Sequence, residues 1–299
     1  MRTTKQEASV TAARWLLFVL CACFASAYAE EPARTHGVWV WHGPSIAQSA
    51  ADVQALRAFC ASQHINEVYL SVSEHGDMPD LGRFASLIGQ LHQSHLRVEA
   101  LLSSESADEP GSHRDKLLAR VREVVRFSRA APKDGFDGIH LDIEPQQRPE
   151  NKGAGNLRFL EGLIAAYRAV RSMAEPAHLS VNADIQNKLL KGDAAQRRML
   201  LTSLPRLTLM LYEVSSPNDG DSIEKQAAKL RDASAKFLQM AYADLEDANL
   251  ATLVIALRTV DYGKNLPMML ETLDRANQAN SRYQGWARHS FNDVLGTAP

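Results

Sequence analysis

Phe136-Asp137-Gly138-Ile139-His140-Leu141-Asp142-Ile143-Glu144-Pro145 reads as an apolar strand with polar side chains at alternate positions and two carboxylates at its end. Side chains alternate across a strand, so His140, Asp142 and Glu144 share one face while Ile139, Leu141 and Ile143 take the other. Strands buried on both faces normally run in unbroken Val, Ile and Leu. An ionised carboxylate removed from water without a partner is costly or shifts its pKa, so this row of ionisable groups reads as catalytic.

Working outward, apolar β-rich runs alternate with helical patterns to the C-terminus. The strand candidates are Gly37–Trp41, Glu67–Ser73, Leu96–Leu102, Gly138–Ile143, Leu179–Ala183, Leu207–Leu211, Leu253–Leu257 and Tyr283–His289. Between them, Leu117, Leu118, Val121, Val124 and Val125 fall on one helical face. So do Leu160, Leu163, Ile164 and Tyr167, and again Leu266, Met269, Leu270 and Leu273. Eight strand–helix alternations predict an α/β fold, a single-domain (β/α)8 TIM barrel, and no Gly-rich phosphate fingerprint follows the first strand to favour an open sheet. The polar stretches Ser103–Ser112, Gln146–Gly155 and Ser215–Asp221 follow strands three, four and six, where such barrels carry their chemistry. The span Asp219–Leu250 is long for one helix.

The N-terminus reads as a secretory signal peptide, residues 1–29: a polar, slightly basic start, the apolar run Trp15–Ala22, then Ala27-Tyr28-Ala29. The barrel domain is then residues 30–299, and an exported protein, periplasmic or secreted, is expected. Leu20-Cys21-Ala22-Cys23 offers the alternative of a lipid anchor at Cys23. After cleavage at Ala29 only Cys60 remains, so no disulfide framework supports the fold and stability must come from the core of about 270 residues. With 33 basic and 35 acidic side chains and no basic block, nothing points to nucleic acid, and no membrane span is expected. The expected partner is a carbohydrate polymer or oligosaccharide, and the expected state a monomer.

The fourth strand resembles the signature of family 18 glycoside hydrolases, the chitinase-like barrels, which reads approximately DGhDhDxE with h apolar. Asp137, Gly138, Ile139, Leu141, Asp142 and Glu144 match; His140 stands where the family has its second acidic residue. Met210-Leu211-Tyr212-Glu213 is similar to the family's M-x-Y-D, with Glu for Asp, and Trp286 stands near the eighth strand, where the family often has an aromatic floor. The resemblance implies that Glu144 is the general acid, that Asp142 orients a 2-acetamido group whose carbonyl oxygen attacks the anomeric carbon, and that Tyr212 helps hold that group. Asp142 and Glu144, two apart on one face, are expected to be able to share a hydrogen bond. His140 is expected to donate to Asp142, lowering its pKa and altering pH dependence, substrate group or activity. The short Arg258–Leu266 connection leaves no room for an inserted domain, so a shallow groove is expected.

Other polar residues at strand ends are His42, Glu74, His75, Asn182, Asp184, Arg258 and His289, which together would ring one barrel mouth. Of Trp39 and Trp41, one belongs to the core and Trp41 is placed to stack on a sugar. Glu213 and Asp184 are candidates for an inverting base. No cofactor and no metal ligand set is expected: Trp41-His42 does not supply the H-x-H pair of amidohydrolase-type metal hydrolases, and neither HExxH nor G-x-S-x-G occurs. The expected activity is that of a glycosidase, a hydrolase acting on a polysaccharide with N-acetylated amino sugars. A non-catalytic sugar-binding barrel and a metal-dependent hydrolase are the alternatives.

Overall fold

The computed structural model describes residues 34–73, 78–151, 158–212, 218 and 220–296. Among them eight parallel strands close on themselves: β1 (Thr35–Val40), β2 (Glu67–Ser71), β3 (Arg97–Ser104), β4 (Gly138–Ile143), β5 (Ser180–Gln186), β6 (Arg206–Met210), β7 (Thr252–Arg258) and β8 (Tyr283–His289). Each strand pairs with the next in sequence, and β8 returns to β1, so no edge is left open. The helices that connect them are α1 (Ala50–Ser62), α2 (Ala85–Gln93), α3 (Ser112–Ala130), α4 (Leu160–Ala174), α5 (Ala194–Leu201), α6 (Ile223–Tyr242) and α7 (Leu266–Asn277). β8 is followed by one helical turn, Asn292–Leu295.

These helices form where the apolar period is near 3.6, and in three of them a polar side chain closes the first turn. Ser49 and Ser222 accept backbone N–H groups at the starts of α1 and α6, and Asp193 with Gln196 makes a capping box on α5. Leu117, Val121 and Val124 of α3 and Leu266, Met269, Leu270 and Leu273 of α7 are buried against the sheet. Among the described residues of the span Asp219–Leu250, α6 is followed by short turns before β7. β5 runs beyond the expected Ala183 because its ladder with β6 continues through Asp184 opposite Thr208 and Gln186 opposite Met210.

Two apolar cores result. The larger lies between strands and helices, and the smaller, inside the barrel, joins Trp39, Tyr69, Leu101, Met210, Val254, Ala256 and Ala287. Tyr69 can cross the interior because Gly37, one inward step below its register partner Trp39, has no side chain: a Cβ there would sit 2.6 Å from the Tyr69 hydroxyl oxygen. On β8, Gly285 has φ +131° and a Cβ would meet the Thr35 carbonyl oxygen at 2.1 Å, so the β8–β1 seam requires glycine. Outside that seam, the Asp274 carboxylate of α7 accepts from Tyr283 at 2.7 Å and from the Trp286 indole at 3.0 Å and meets His36 Nε2 at 3.0 Å.

Below the inner apolar layer lies a charged base. Arg206 donates to both carboxylate oxygens of Glu67, to Thr35 Oγ1 at 2.6 Å and to Glu99 Oε1 at 3.3 Å. Glu99 Oε1 also accepts from Asn182 at 2.6 Å and Ser180 at 2.9 Å. Burial, then the neighbouring Glu99, pushes Glu67 up to about 7. Burial pushes Glu99 upward too, but Arg206 and His140 outweigh it and hold it well below the usual carboxylate range. Arg97, more exposed, approaches Glu67 and Glu99 Oε1 at 3.4 and 3.3 Å, but Arg206 makes the closer contacts, and removing it leaves two buried carboxylates largely uncompensated. Arg206→Met should therefore destabilise the protein by about 3–5 kcal/mol, the usual cost of orphaning a buried ion pair, measured as a fall in denaturation midpoint at unchanged m-value.

The expected leader and the Cys23 alternative lie outside the described residues, as do Glu74, His75 and Glu213. No helix of the described residues is long and apolar enough to cross a membrane. Cys60, a free thiol on α1, is buried, which pushes it up to about 12.

Candidate active site

β4 delivers the row read in the sequence: His140 at mid-strand, Asp142 above it, Glu144 just past the C-terminal end. Glu144 is half-buried. Its Oε1 accepts from Gln146 at 3.0 Å and from Gln186 at 3.3 Å, and Oε2 accepts from Gln147. The glutamines, rather than Asp142, thus take the Glu144 oxygens. Burial raises the Glu144 pKa, the Asp184 charge adds to it, and the bonds from Gln186 and Gln146 oppose it. Asp142 is raised well above the usual carboxylate range by burial, then by Asp184 and Glu144, and its Oδ1 is buried with no hydrogen-bond partner among the described residues.

His140 departs from expectation. Instead of donating to Asp142, its Nε2 lies 2.8 Å from Asp184 Oδ1 and its Nδ1 lies 3.4 Å from Glu99 Oε2. The ring stacks on Tyr69 at 3.8 Å between centroids and meets Trp39 edge-on at 5.8 Å. Burial alone would lower its pKa, but Asp184 and then Glu99 outweigh that and push it up to about 9. The reason is register: His140 pairs with Asn182 on β5, which leaves Asp184 one inward position higher and within reach of the imidazole. A hydrogen-bonded column, Arg206–Glu99–His140–Asp184–Trp39, therefore rises through the barrel from base to mouth.

Around the mouth, Trp41 donates from its indole to His289 Nε2 at 3.1 Å, and the His289 ring lies 6.2 Å from that of Tyr212. Burial lowers the His289 pKa, which suits a ring nitrogen that accepts. Arg258 lies 5.0 Å over the Tyr212 ring and is clamped bidentately by Asp261 at 2.8 and 2.9 Å. Tyr212 is raised well above its ordinary value by burial and then by Asp184, Asp142 and Glu144, which places it among those carboxylates. Between β7 and α7 lie only the turns Thr259–Tyr262 and Gly263–Asn265, and no inserted domain.

The structure thus brings Asp142, Glu144, Tyr212, Trp41, Arg258 and His289 together over Asp184 and His140. Three expected substrate contacts are corrected. Asn182, 2 % exposed, points down to Glu99 because its register position lies below the mouth. Trp286 belongs to the outer core, stacked on His36 at 4.3 Å and bonded to Asp274, because odd and even positions of β8 face opposite ways. Asp184 is buried, with its two oxygens bonded to His140 and Trp39, which removes it as an inverting base. His42 follows β1 in left-handed backbone, φ 54°, at the head of the turn Gly43–Ile46.

Sequence reasoning missed Gln146, Gln147, Gln186 and Glu99. Alternation on β5 beyond Asp184 marks Gln186 as inward, and alternation on β3 marks Glu99; the two remaining glutamines lie in the polar stretch after β4. Asp137 is structural, accepting the Val98 N–H at 2.8 Å and meeting His92 at 3.0 Å. Among the described residues no group of three or more His, Cys, Asp and Glu side chains converges as a metal site.

No protein-family model matches the chain, and no curated protein matches its sequence. Solved structures do. A chitinase from Bacteroides thetaiotaomicron superposes with a TM-score of 0.53 at 12 % identity, over 88 % of this chain and 93 % of that one. A chitinase from Chromobacterium violaceum gives a TM-score of 0.46 at 13 % identity, over 76 % of this chain and 69 % of that one. The spore cortex-lytic enzyme SleL of Bacillus megaterium gives 0.44 at 13 % identity, over 76 % and 52 %. The Bacteroides match, near full length on both sides, carries the comparison: this chain has the (β/α)8 fold of a chitinase-like barrel.

Proposed function

We propose that this protein is an exported glycoside hydrolase that cleaves polysaccharides containing N-acetylated amino sugars, with Glu144 as general acid. The observation that carries the reading is Glu144 itself: a half-buried carboxyl at the C-terminal end of a barrel strand, raised in pKa by burial and a nearby anion, and oriented by glutamines. A glycosidic oxygen leaves well only if it is protonated as the bond breaks, which requires an acid that keeps its proton near neutral pH. Asp142 stands beside it, two residues back on the same strand face. With Tyr212 it would hold the acetamido group of the sugar, whose carbonyl oxygen forms the bond to the anomeric carbon as the leaving oxygen takes the Glu144 proton. Trp41 and His289 form an aromatic wall on which the sugar ring can stack. The likeness to chitinases supports this substrate class.

Glu144→Gln should reduce release of new reducing ends from chitin-type polymers by about a thousandfold, with unchanged thermal stability; binding without turnover in both proteins would instead favour a sugar-binding barrel. A chelator should leave the wild-type rate unchanged, and loss of activity would favour a metal-dependent hydrolase. Gln186 donates to Glu144, which favours the ionised form. Gln186→Leu should therefore raise the Glu144 pKa further, moving the alkaline limb of kcat/KM upward by roughly one pH unit. N-terminal sequencing of the exported protein should begin at Glu30; a blocked, lipid-bearing Cys23 would overturn the cleavage assignment.

A further inference from the structure

Both ring nitrogens of His140 face carboxylate oxygens, one on each side. A neutral imidazole has one N–H and one lone pair, and would aim that lone pair at a carboxylate; an imidazolium donates on both sides. The partners are fixed. Glu99 Oε1 is taken by Asn182, Ser180 and the two arginines Arg97 and Arg206, which leaves Oε2 for His140. Asp184 Oδ2 is taken by the Trp39 indole at 3.2 Å, which leaves Oδ1. The other groups around the ring are Tyr69 and Glu67 from β2, Arg206 from β6, Asp142 on its own strand, and His289 and Arg258 farther up on β8 and β7. Asp142, in contrast, has a buried Oδ1 with no partner among the described residues, as suits a carboxyl that is not ionised.

We propose, resting on the glycosidase reading above, that His140 is a positioning residue: as an imidazolium clamped between Glu99 and Asp184 it holds Asp184 as a fixed anion behind Asp142, so that Asp142 meets the sugar as a neutral acid. A neutral Asp142 can accept the acetamido N–H on one oxygen and donate its own O–H from the other, which an ionised one cannot do. Its O–H is then available to the Glu144 carboxylate that forms once Glu144 has given its proton to the leaving oxygen. Burial first, and then the Asp184 charge, raise the pKa of both Asp142 and Glu144.

The test uses the full-length protein with isotope-labelled histidine, His140 being assigned from the signal lost in His140→Asn. NMR should show both His140 nitrogens protonated through neutral pH, with loss of the proton only towards about pH 9. Asp184→Asn should lower that midpoint by about one pH unit or more. The protonated-carboxyl infrared band that Asp142→Asn removes should, in Asp184→Asn, vanish at lower pH than in wild type. On a soluble N-acetylglucosamine oligomer, Asp184→Asn should also shift the alkaline limb of kcat/KM to lower pH. A neutral His140 at neutral pH, or an Asp142 band unmoved by Asp184→Asn, overturns the proposal even if the wild type is an active glycosidase. Absence of turnover in the wild type overturns the glycosidase reading instead, and the two spectroscopic results still decide the state of His140 and Asp142.

Discussion

The rest of the structure depends on the ion pairs that the half-buried Arg206 makes at the base of the barrel. Arg206, with Arg97 farther out, is the cation that lets Glu67 and Glu99 exist inside the barrel, and Glu99 in turn is one of the two anions that hold His140. Take away the positive charge at the base and the column above it loses its electrostatic footing, because each carboxylate is tolerable only through its neighbour. The site chemistry at the mouth is therefore built on a base layer that no substrate touches. A barrel interior filled with layers of side chains is what makes this transmission feasible, since inward positions on neighbouring strands fall at stepped heights and can bond diagonally.

The polar column also explains how carboxyls of similar intrinsic acidity come to differ. Glu99 is surrounded by donors and cations and is held low, while Asp142 is pushed high by burial and by Asp184 and Glu144, which outweigh the opposing effect of His140. Glu144 lies between these extremes, partly exposed and held by amide donors alone. Environment rather than residue type assigns the roles, as expected where burial and neighbouring charge compete.

Much of this was legible in the sequence. All eight strands follow from the alternation of β-rich runs with helical periods, and the placement of Asp142 and Glu144 at a strand end follows from period-two alternation on β4. Tyr212, Trp41, Arg258 and His289 meet at the mouth because each ends a strand. What sequence could not supply is register between strands. Whether His140 meets Asp142 on its own strand or Asp184 on the next depends on the stagger of β4 against β5, which a linear reading does not contain. The same gap misplaced Asn182, one inward step too low to reach substrate; Trp286, by contrast, was legible, since alternation with the inward Ala287 and His289 puts it on the outer face of β8. Gln146 and Gln147 act through a loop whose turns fold back on Glu144, a local geometry that composition alone does not specify.

The seam between β8 and β1 joins the two ends of the described chain: Gly285 admits the Thr35 backbone at close range, and Asp274 ties His36 to Tyr283 and Trp286. These contacts span most of the sequence, so their formation must await synthesis of the last strand. Until then β1 has only one of its two ladder partners and its other edge stands open. Closure is thus a late, long-range event with a high loop-entropy cost, and the nascent protein must be kept from pairing that edge elsewhere until its C-terminal strand arrives.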